Sequence, residues 1–157
     1  MIFREVELHD RDVVCDLLLA MIQEMVSVGG HNIADDDKAT AWINERITSG
    51  VDDPEHLFLL AESDTPDAAP LGVIEATIIR PHPVFKPKQI LHIHSVFVDP
   101  DFRRKGIGRQ LLETALQWGE ERRCVEAELN SLVGNPALEL YKSLGFKVFE
   151  LELRRKI

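Results

Sequence analysis

The residues best suited to chemistry in this chain lie in one short run, Arg103-Arg104-Lys105-Gly106-Ile107-Gly108-Arg109. Gly106 and Gly108 have no Cβ, so the backbone can turn tightly there and bring its N–H groups close to a ligand. Ile107, Leu111 and Ala115 follow at i, i+4 and i+8, with Leu112 and Leu116 beside them, which predicts a helix whose first turn begins near Gly108. The opening of a helix adds unpaired N–H donors and the positive end of its dipole. Four of the seven residues in the run are basic and none is acidic, whereas the whole chain carries a formal net charge of −9. A local positive pocket on an acidic protein implies a small anionic ligand rather than a long polyanion. The competing reading is a plain turn with solvated basic side chains. No Gly-Lys-Ser/Thr follows, so a Walker loop is excluded, and no third glycine comes three residues after Gly108, so the dinucleotide fingerprint fails.

A second set of reactive side chains sits just upstream. His92 and His94 are two apart in a stretch that reads as a strand, so both point to one face. Histidine titrates near neutral pH and can accept a proton directly or through water. Glu75, on the preceding strand, is a third proton acceptor. Each of the three can equally be a half-buried polar group satisfied by hydrogen bonds. A His-x-His metal pair lacks a third ligand at a recognisable spacing, so no metal site is expected.

The elements that must hold these residues follow from patterning. Ile2 to Leu8 alternates and reads as a first strand. Asp10 then reads as the N-cap of a helix carrying Val14, Leu17, Leu18, Met21, Ile22 and Met25 on one face, ended by Gly29-Gly30. A second helix follows Asp35-Asp36-Asp37, with Trp42, Ile43 and Ile47 inward and Gly50 as its stop. Leu57–Ala61 and Leu71–Ile79 read as strands joined by an exposed hairpin loop over 62–70. The proline-bearing connection from Arg80 to Lys88 reads as either a wall of a substrate pocket or a stiff connector. Leu91–Val98 is the central strand, stopped by Asp99-Pro100-Asp101. The helix after the glycine run extends to about Arg122, Val125–Leu129 is a further strand, and Asn135 and Pro136 read as N-cap and N1 of a short helix stopped by Gly145. Phe146–Leu153 alternates again and is expected as a last strand.

On these residues the chain resembles the GNAT acyltransferase superfamily. Arg103, Gly106 and Gly108 match its Arg/Gln-x-x-Gly-x-Gly/Ala signature, preceded by Val96-Phe97-Val98-Asp99-Pro100 in the form Val-x-Val-x-Pro. A second block, Asn135-Pro136-Ala137-Leu138-Glu139-Leu140-Tyr141-Lys142-Ser143-Leu144-Gly145-Phe146, is similar to the family's Asn-x-Ala…Leu-Tyr-x-x-Leu-Gly-Phe segment. Two such blocks about thirty residues apart form a far more specific pattern than either alone. The close match covers roughly 91 to 149.

The resemblance implies an α/β fold with a mixed sheet in three layers, ordered β-α-α-β-β-β-α-β-α-β, whose central strands beginning near Leu91 and Val125 splay apart. It implies N-acetyl transfer from acetyl-CoA to a primary amine by direct attack in a ternary complex. The loop amides of Arg103, Arg104, Lys105, Gly106, Ile107, Gly108 and Arg109 would hold the pyrophosphate. The strand edge over Val96, Phe97 and Val98 would pair with the pantetheine arm, a backbone N–H near Val96 would steady the carbonyl oxygen, and Asn135 would touch the cofactor arm. Tyr141, the only tyrosine, stands where similar enzymes place a general acid, and a phenol with an ordinary pKa near 10 stays protonated at neutral pH. It can also be a buried aromatic satisfied locally. His92, His94 or Glu75 would serve as base. The link from Gly30 to Ala34 would border the acceptor cleft. Family members often carry glycine where Arg123 stands at the end of the long helix; a left-handed Arg123 would cost about 1–2 kcal/mol.

Composition sets the outer limits. With 157 residues, 45% hydrophobic and 29% charged, the chain reads as one globular domain over 1–157. Its acidity argues against nucleic-acid and anionic-membrane partners. Cys15 and Cys124 form no Cys-x-x-Cys pair and read as free buried thiols, and no apolar run is long enough for a signal peptide or a span, so the expected location is the cytoplasm. The acceptor is a small-molecule or peptide amine, and dimerisation is common among similar proteins. A non-catalytic acyl-CoA-binding module on the same scaffold, and a nucleotide-binding module, are the alternatives from other classes.

Overall fold

The computed structural model describes residues 1–27, 36–65, 70–86 and 88–155. Five strands, β1 (Ile2–Glu5), β2 (His56–Glu62), β3 (Gly72–Ile79), β4 (Ile90–Val98) and β5 (Glu126–Leu129), form one sheet in sequential order. The first four are antiparallel neighbours; β5 runs parallel to β4 after a helical crossover. Two helices, α1 (Arg11–Ser27) and α2 (Asp36–Gly50), cover one face, and α3 (Ile107–Glu121) and α4 (Leu138–Ser143) cover the other.

Strand alternation decides which core each residue joins. Leu57, Leu59, Ile74, Ala76, Leu91 and Ile93 pack with Ile107, Leu111, Leu112 and Ala115 of α3, while Phe58, Leu60, Val73 and Phe97 pack with Val14, Leu18, Ile43 and Ile47 of α1 and α2. Burying a Leu or Ile in either layer is worth about 1.5–3 kcal/mol. Both layers therefore grip the same central strands from opposite sides.

Most element boundaries agree with the patterning within a residue or two. At the start, Leu8–Asp10 is a 3₁₀ turn running straight into α1. Asp10 is buried there, accepting from the Glu7 amide at 2.8 Å and from two nitrogens of Arg4 at 2.7 and 2.8 Å. It therefore fastens the helix entry to β1 rather than acting as a simple N-cap. In α1, Val14, Leu17 and Leu18 are buried, but Met25 is exposed. In α2, Ile43 and Ile47 are buried and Trp42 is not. Ile43, Ile47 and Gly50 recur at i, i+4 and i+7, and Trp42, one residue earlier, falls about 100° off that stripe. The expected stop at Gly29-Gly30, the link to Ala34, the cap residue Asp35 and the tip of the loop over 62–70 lie outside the described residues.

Both later helices end in Schellman motifs. In α4, Gly145 has φ +90°, its N–H donates to Lys142 O at 3.0 Å, and Phe146 N–H reaches back to Tyr141 O at 3.1 Å. In α3 the same pattern places Arg123 at φ +65°, with Arg123 N–H on Glu120 O and Cys124 N–H on Gly119 O. The side chain thus occupies a position that favours glycine. The short helix starts at Leu138, two residues later than expected. Asn135 Oδ1 accepts from the Ala137 amide at 2.9 Å, so its side chain caps a turn ahead of the helix.

The last expected strand does not form. Phe146 packs edge-on against Tyr141 with ring centroids 6.2 Å apart, but 147–155 carries no strand and its residues are exposed. Alternation supplies an amphipathic segment, and only a partner edge turns that segment into a strand. Among the described residues the sheet therefore has five strands rather than six.

The left-handed arginine yields a direct test. Arg123→Gly should raise the free energy of unfolding by about 1 kcal/mol, by removing the Cβ clash at positive φ. Urea titration of the two proteins reads the difference, and an equal or lower midpoint for the variant contradicts the assigned helix end.

Candidate active site

The site is built around the end of β4. Parallel pairing with β5 covers Ile90↔Glu126 through Ile93↔Leu129 and stops there, while β4 continues to Val98 against β3. Beyond Ile93 the sheet opens between its two last strands, as the expected splay requires. Alternation fixes which backbone groups face the opening. Asp99 N–H donates to Leu71 O on the β3 side at 2.9 Å, so the peptide groups of Val96 and Val98, of opposite parity, point away from β3 and into the gap. Phe97 turns its ring to the α1/α2 core, where it is buried.

A bulge lies on the same stretch. Glu75 pairs with Ser95 and Ala76 with Ile93, so His94 is the extra residue on β4. It lets His94 and Ser95 face the α2 side together and returns Val96 to the α3 side. His92 and His94 do meet on one face, ring centroids 4.4 Å apart.

Glu75 lies beneath them and is 3% exposed. Its Oε1 receives Arg46 Nε at 3.0 Å and a second Arg46 nitrogen, and contacts His56 Nε2 at 3.0 Å; Ser95 Oγ approaches Oε2 at 3.5 Å. Burial works to raise the Glu75 pKa, but the bonds from His56 and Arg46 outweigh it and hold the carboxyl below its ordinary range. His94 Nε2 lies 2.7 Å from Thr77 Oγ1, and His92 Nδ1 lies 2.8 Å from Glu128 Oε1. Partial desolvation, aided by the positive charge of Arg46 and by the neighbouring His92 and His56, pushes the His94 pKa down to about 4 against the opposing pull of Glu75. His94 is therefore neutral at physiological pH, with its Nε2 held against the Thr77 hydroxyl.

The glycine run lies beyond the strand end. Asp99 accepts from Asp101 N–H at 2.9 Å and starts a 3₁₀ turn over Pro100–Phe102. Arg103 then folds inward. Its Nε donates to Val98 O at 2.9 Å, its terminal nitrogens grip Glu24 of α1 at 2.9 and 2.5 Å, and its guanidinium lies 5.5 Å above the Phe97 ring. The side chain braces the loop against α1 and the end of β4. Arg104 has φ +64° and Gly106 φ +84°, a winding that turns successive N–H groups toward one concavity. Among the described residues, none of the backbone N–H groups from Arg104 to Arg109 donates a hydrogen bond.

The glycines differ in purpose. Gly106 is required by its left-handed backbone, whereas Gly108 is not left-handed, and a Cβ there would meet Leu140 and Val98 only at an ordinary 3.6 Å. The protein's own packing does not demand glycine at 108. Lys105 rests over Phe102, and Arg109 ties α3 to α4 by donating to Ser143 Oγ at 2.7 Å.

Tyr141 packs in the core on the α3/α4 face, the side of the sheet opposite the histidines. It is 9% exposed, burial pushes its pKa above the usual 10, and its hydroxyl has no hydrogen bond among the described residues. Asn135 is occupied at Oδ1 by its capping bond. Val84 and Phe85 of the proline-bearing connection are exposed, and Pro87 lies outside the described residues.

Sequence reasoning passed over Arg46, His56, Thr77 and Glu128. They stand 29 and 19 residues before Glu75, 17 before His94 and 36 after His92, and no local spacing reports a pairing over such distances. Among the described residues no helix is long and apolar enough to cross a membrane, and no group of three or more metal-ligating side chains could hold an ion.

A model of the acetyltransferase (GNAT) family matches residues 19–146. An N-acetyltransferase of Methanocaldococcus jannaschii is 42% identical over 65 residues, 41% of this chain and 29% of that protein. The [ribosomal protein bS18]-alanine N-acetyltransferase of Salmonella typhimurium is 42% identical over 64 residues, 40% of this chain and 42% of that one. The matched stretches thus span less than half of these relatives. A mutant of the BH1408 protein from Bacillus halodurans superposes with a TM-score of 0.87 at 19% identity, covering 100% of this chain and 99% of that one. At that identity the likeness is one of fold.

His94 makes the acid stability of the protein testable. Its folded pKa, about 4, lies below the ordinary histidine value of 6.5, so as pH falls through that window the unfolded chain binds a proton that the folded chain refuses, and stability drops. Glu75, with a lowered pKa, stabilises above its ordinary range and loses that contribution only at lower pH. Thermal unfolding between pH 7 and 4.5 should show a shallower loss for His94→Asn than for the parent; parallel curves would refute the assignment.

Proposed function

Because the chain belongs to the GNAT acetyltransferase family, we propose that it is an N-acetyltransferase moving an acetyl group from acetyl-CoA to a primary amine within a ternary complex. The observation that carries this reading is the row of unpaired amides from Arg104 to Arg109 set beside the free edge of β4. The amides and the start of α3 suit a diphosphate. The Val96 and Val98 peptide groups suit an extended amide-bearing arm lying in the gap where β5 has left. Acetyl-CoA, when bound, supplies a thioester whose carbonyl carbon the amine attacks and whose thiolate departs.

The chain's own residues would do the rest. The loop and strand edge hold one reactant against the other, which removes the entropic cost of their encounter. The Val96 N–H donates to the carbonyl oxygen as negative charge gathers there. His92, paired with Glu128, or His94 takes the proton of the amine, directly or through water. Glu75, tied to Arg46 and His56, is a poor base in that arrangement and serves as the fixed charge that positions the bulge. Tyr141 donates its phenolic proton to the departing thiolate. Neither cysteine lies at this centre, so no acyl-enzyme is invoked, and two free thiols fit a reducing, cytoplasmic setting.

Release of free thiol from acetyl-CoA across a panel of primary amines tests the reaction. Silence with every amine, alongside retained CoA binding, would assign the protein to the non-catalytic acyl-CoA-binding class. Two variants test the parts. Gly108→Val should keep a cooperative unfolding transition yet lose CoA binding by calorimetry; unchanged affinity would remove the cofactor assignment. Tyr141→Phe should lower turnover about 10²-fold with CoA affinity nearly intact, whereas unaltered turnover would end its role as acid.

A further inference from the structure

Trp42 is 54% exposed, yet its position on α2 sets it beside the candidate site. Residues 42, 46 and 50 stand four apart and share one line along the helix. At Gly50 that line lies over β2, where an added Cβ would press on the His56 ring and on Phe58. One turn earlier Arg46 reaches Glu75 on β3. A helical turn advances about 5.4 Å and neighbouring strands lie about 4.8 Å apart. The next turn therefore carries Trp42 toward β4 and the bulge that holds His94 and Ser95. The Arg46 guanidinium lies 4.8 Å from the centre of the Trp42 ring. One face of the indole is thus taken by a cation, and much of the rest is open.

The charges on this side of the sheet narrow what the open ring can meet. Arg46 holds Glu75, Lys88 holds Glu126 and Arg103 holds Glu24. A phosphate or carboxylate on a ligand would have to compete with a carboxylate already in place at each of these cations. Glu128 is half exposed beside His92, and the chain as a whole carries a formal charge of −9. Such a surface draws an amine arriving as its ammonium and repels one that also bears an anion. The indole adds a second selection. Its electron density is already drawn toward Arg46, so its remaining surface favours a neutral apolar or aromatic group over a second cation.

We propose that Trp42 is a specificity-determining residue, and that the acceptor is a primary amine joined by a short linker to an apolar or aromatic group and bearing no anion. That group stacks on the open indole while the amine reaches the histidines at the bulge. The same chemistry is presented by a free arylalkylamine and by the aromatic first residue of a peptide. What becomes of the amine rests on the acyl-transfer reading above; the stacking contact does not.

Acetyl transfer is assayed with 2-phenylethylamine, phenylalanyl-glycinamide, propylamine, spermidine and glucosamine 6-phosphate. The two aromatic amines should show the highest kcat/KM, and the better of them identifies the source. Trp42→Ala should keep its cooperative thermal transition and lose about tenfold of the preference for 2-phenylethylamine over propylamine. Binding is read separately, without acetyl-CoA, from indole emission. Adding 2-phenylethylamine should alter the emission of the parent and not that of Trp42→Phe, because Trp118, the other tryptophan, is buried in the core. An emission change with no transfer to any amine would keep the stacking site and end the acetyltransferase reading. Emission indifferent to the amine, a preference for spermidine or glucosamine 6-phosphate, or an aromatic preference that survives Trp42→Ala would overturn the proposal.

Discussion

Parallel hydrogen bonding between β4 and β5 ends at Ile93 and Leu129, and the organisation of the site follows from that early stop. A strand that continues after its neighbour has left exposes backbone donors and acceptors that must find some other partner. On the β3 side β4 is fully engaged, so the groups without a strand partner are those of Val96 and Val98, of which the Val98 carbonyl accepts from Arg103 instead. The gap also joins the two faces of the sheet, which otherwise divide the molecule into separate layers. Tyr141 belongs to the α3/α4 layer, whereas His92 and His94 stack on the opposite face of the sheet.

Two charged contacts hold this opening in shape. Glu75 is a carboxylate nearly sealed from water, tolerable there because Arg46 and His56 pair with it. Arg46 comes from α2, so the same contact fixes that helix over the bulged strand. The Arg103–Glu24 pair does the corresponding work at the other end, tying the phosphate-like loop to α1. The signature arginine therefore shapes the loop from within, while the backbone amides from Arg104 to Arg109 keep no hydrogen-bond partner among the described residues.

Much of the fold was legible because it is written in local periodicity. The α3 stripe from Ile107 to Ala115, the apolar run of β4, the Gly145 stop and the strain at Arg123 each depend on residues within one or two turns of each other. The glycine loop was legible for the same reason, since a backbone that must bend sharply and then open a helix constrains its own neighbours. The failures are equally specific. Trp42 read as inward because its type is apolar, but its angular position on α2 sets it beside the stripe. Phe146–Leu153 read as a strand because it alternates, and alternation describes what a segment can do once an edge is offered to it.

The sequence by itself determined which segments are helical or extended, where the chain turns, and that a bare-amide loop precedes a helix; these depend on steric and hydrogen-bonding demands among near neighbours. The tertiary structure alone decided that His94 would be the extra residue of a bulge, that Arg46 and His56 would converge on Glu75, that Arg103 would turn inward to Glu24, and that 147–155 would not join the sheet. Those outcomes rest on strand register and on charges brought together across tens of residues. Register is settled only when whole strands pack between two helical layers, and a carboxylate's partners are known only after that packing is complete.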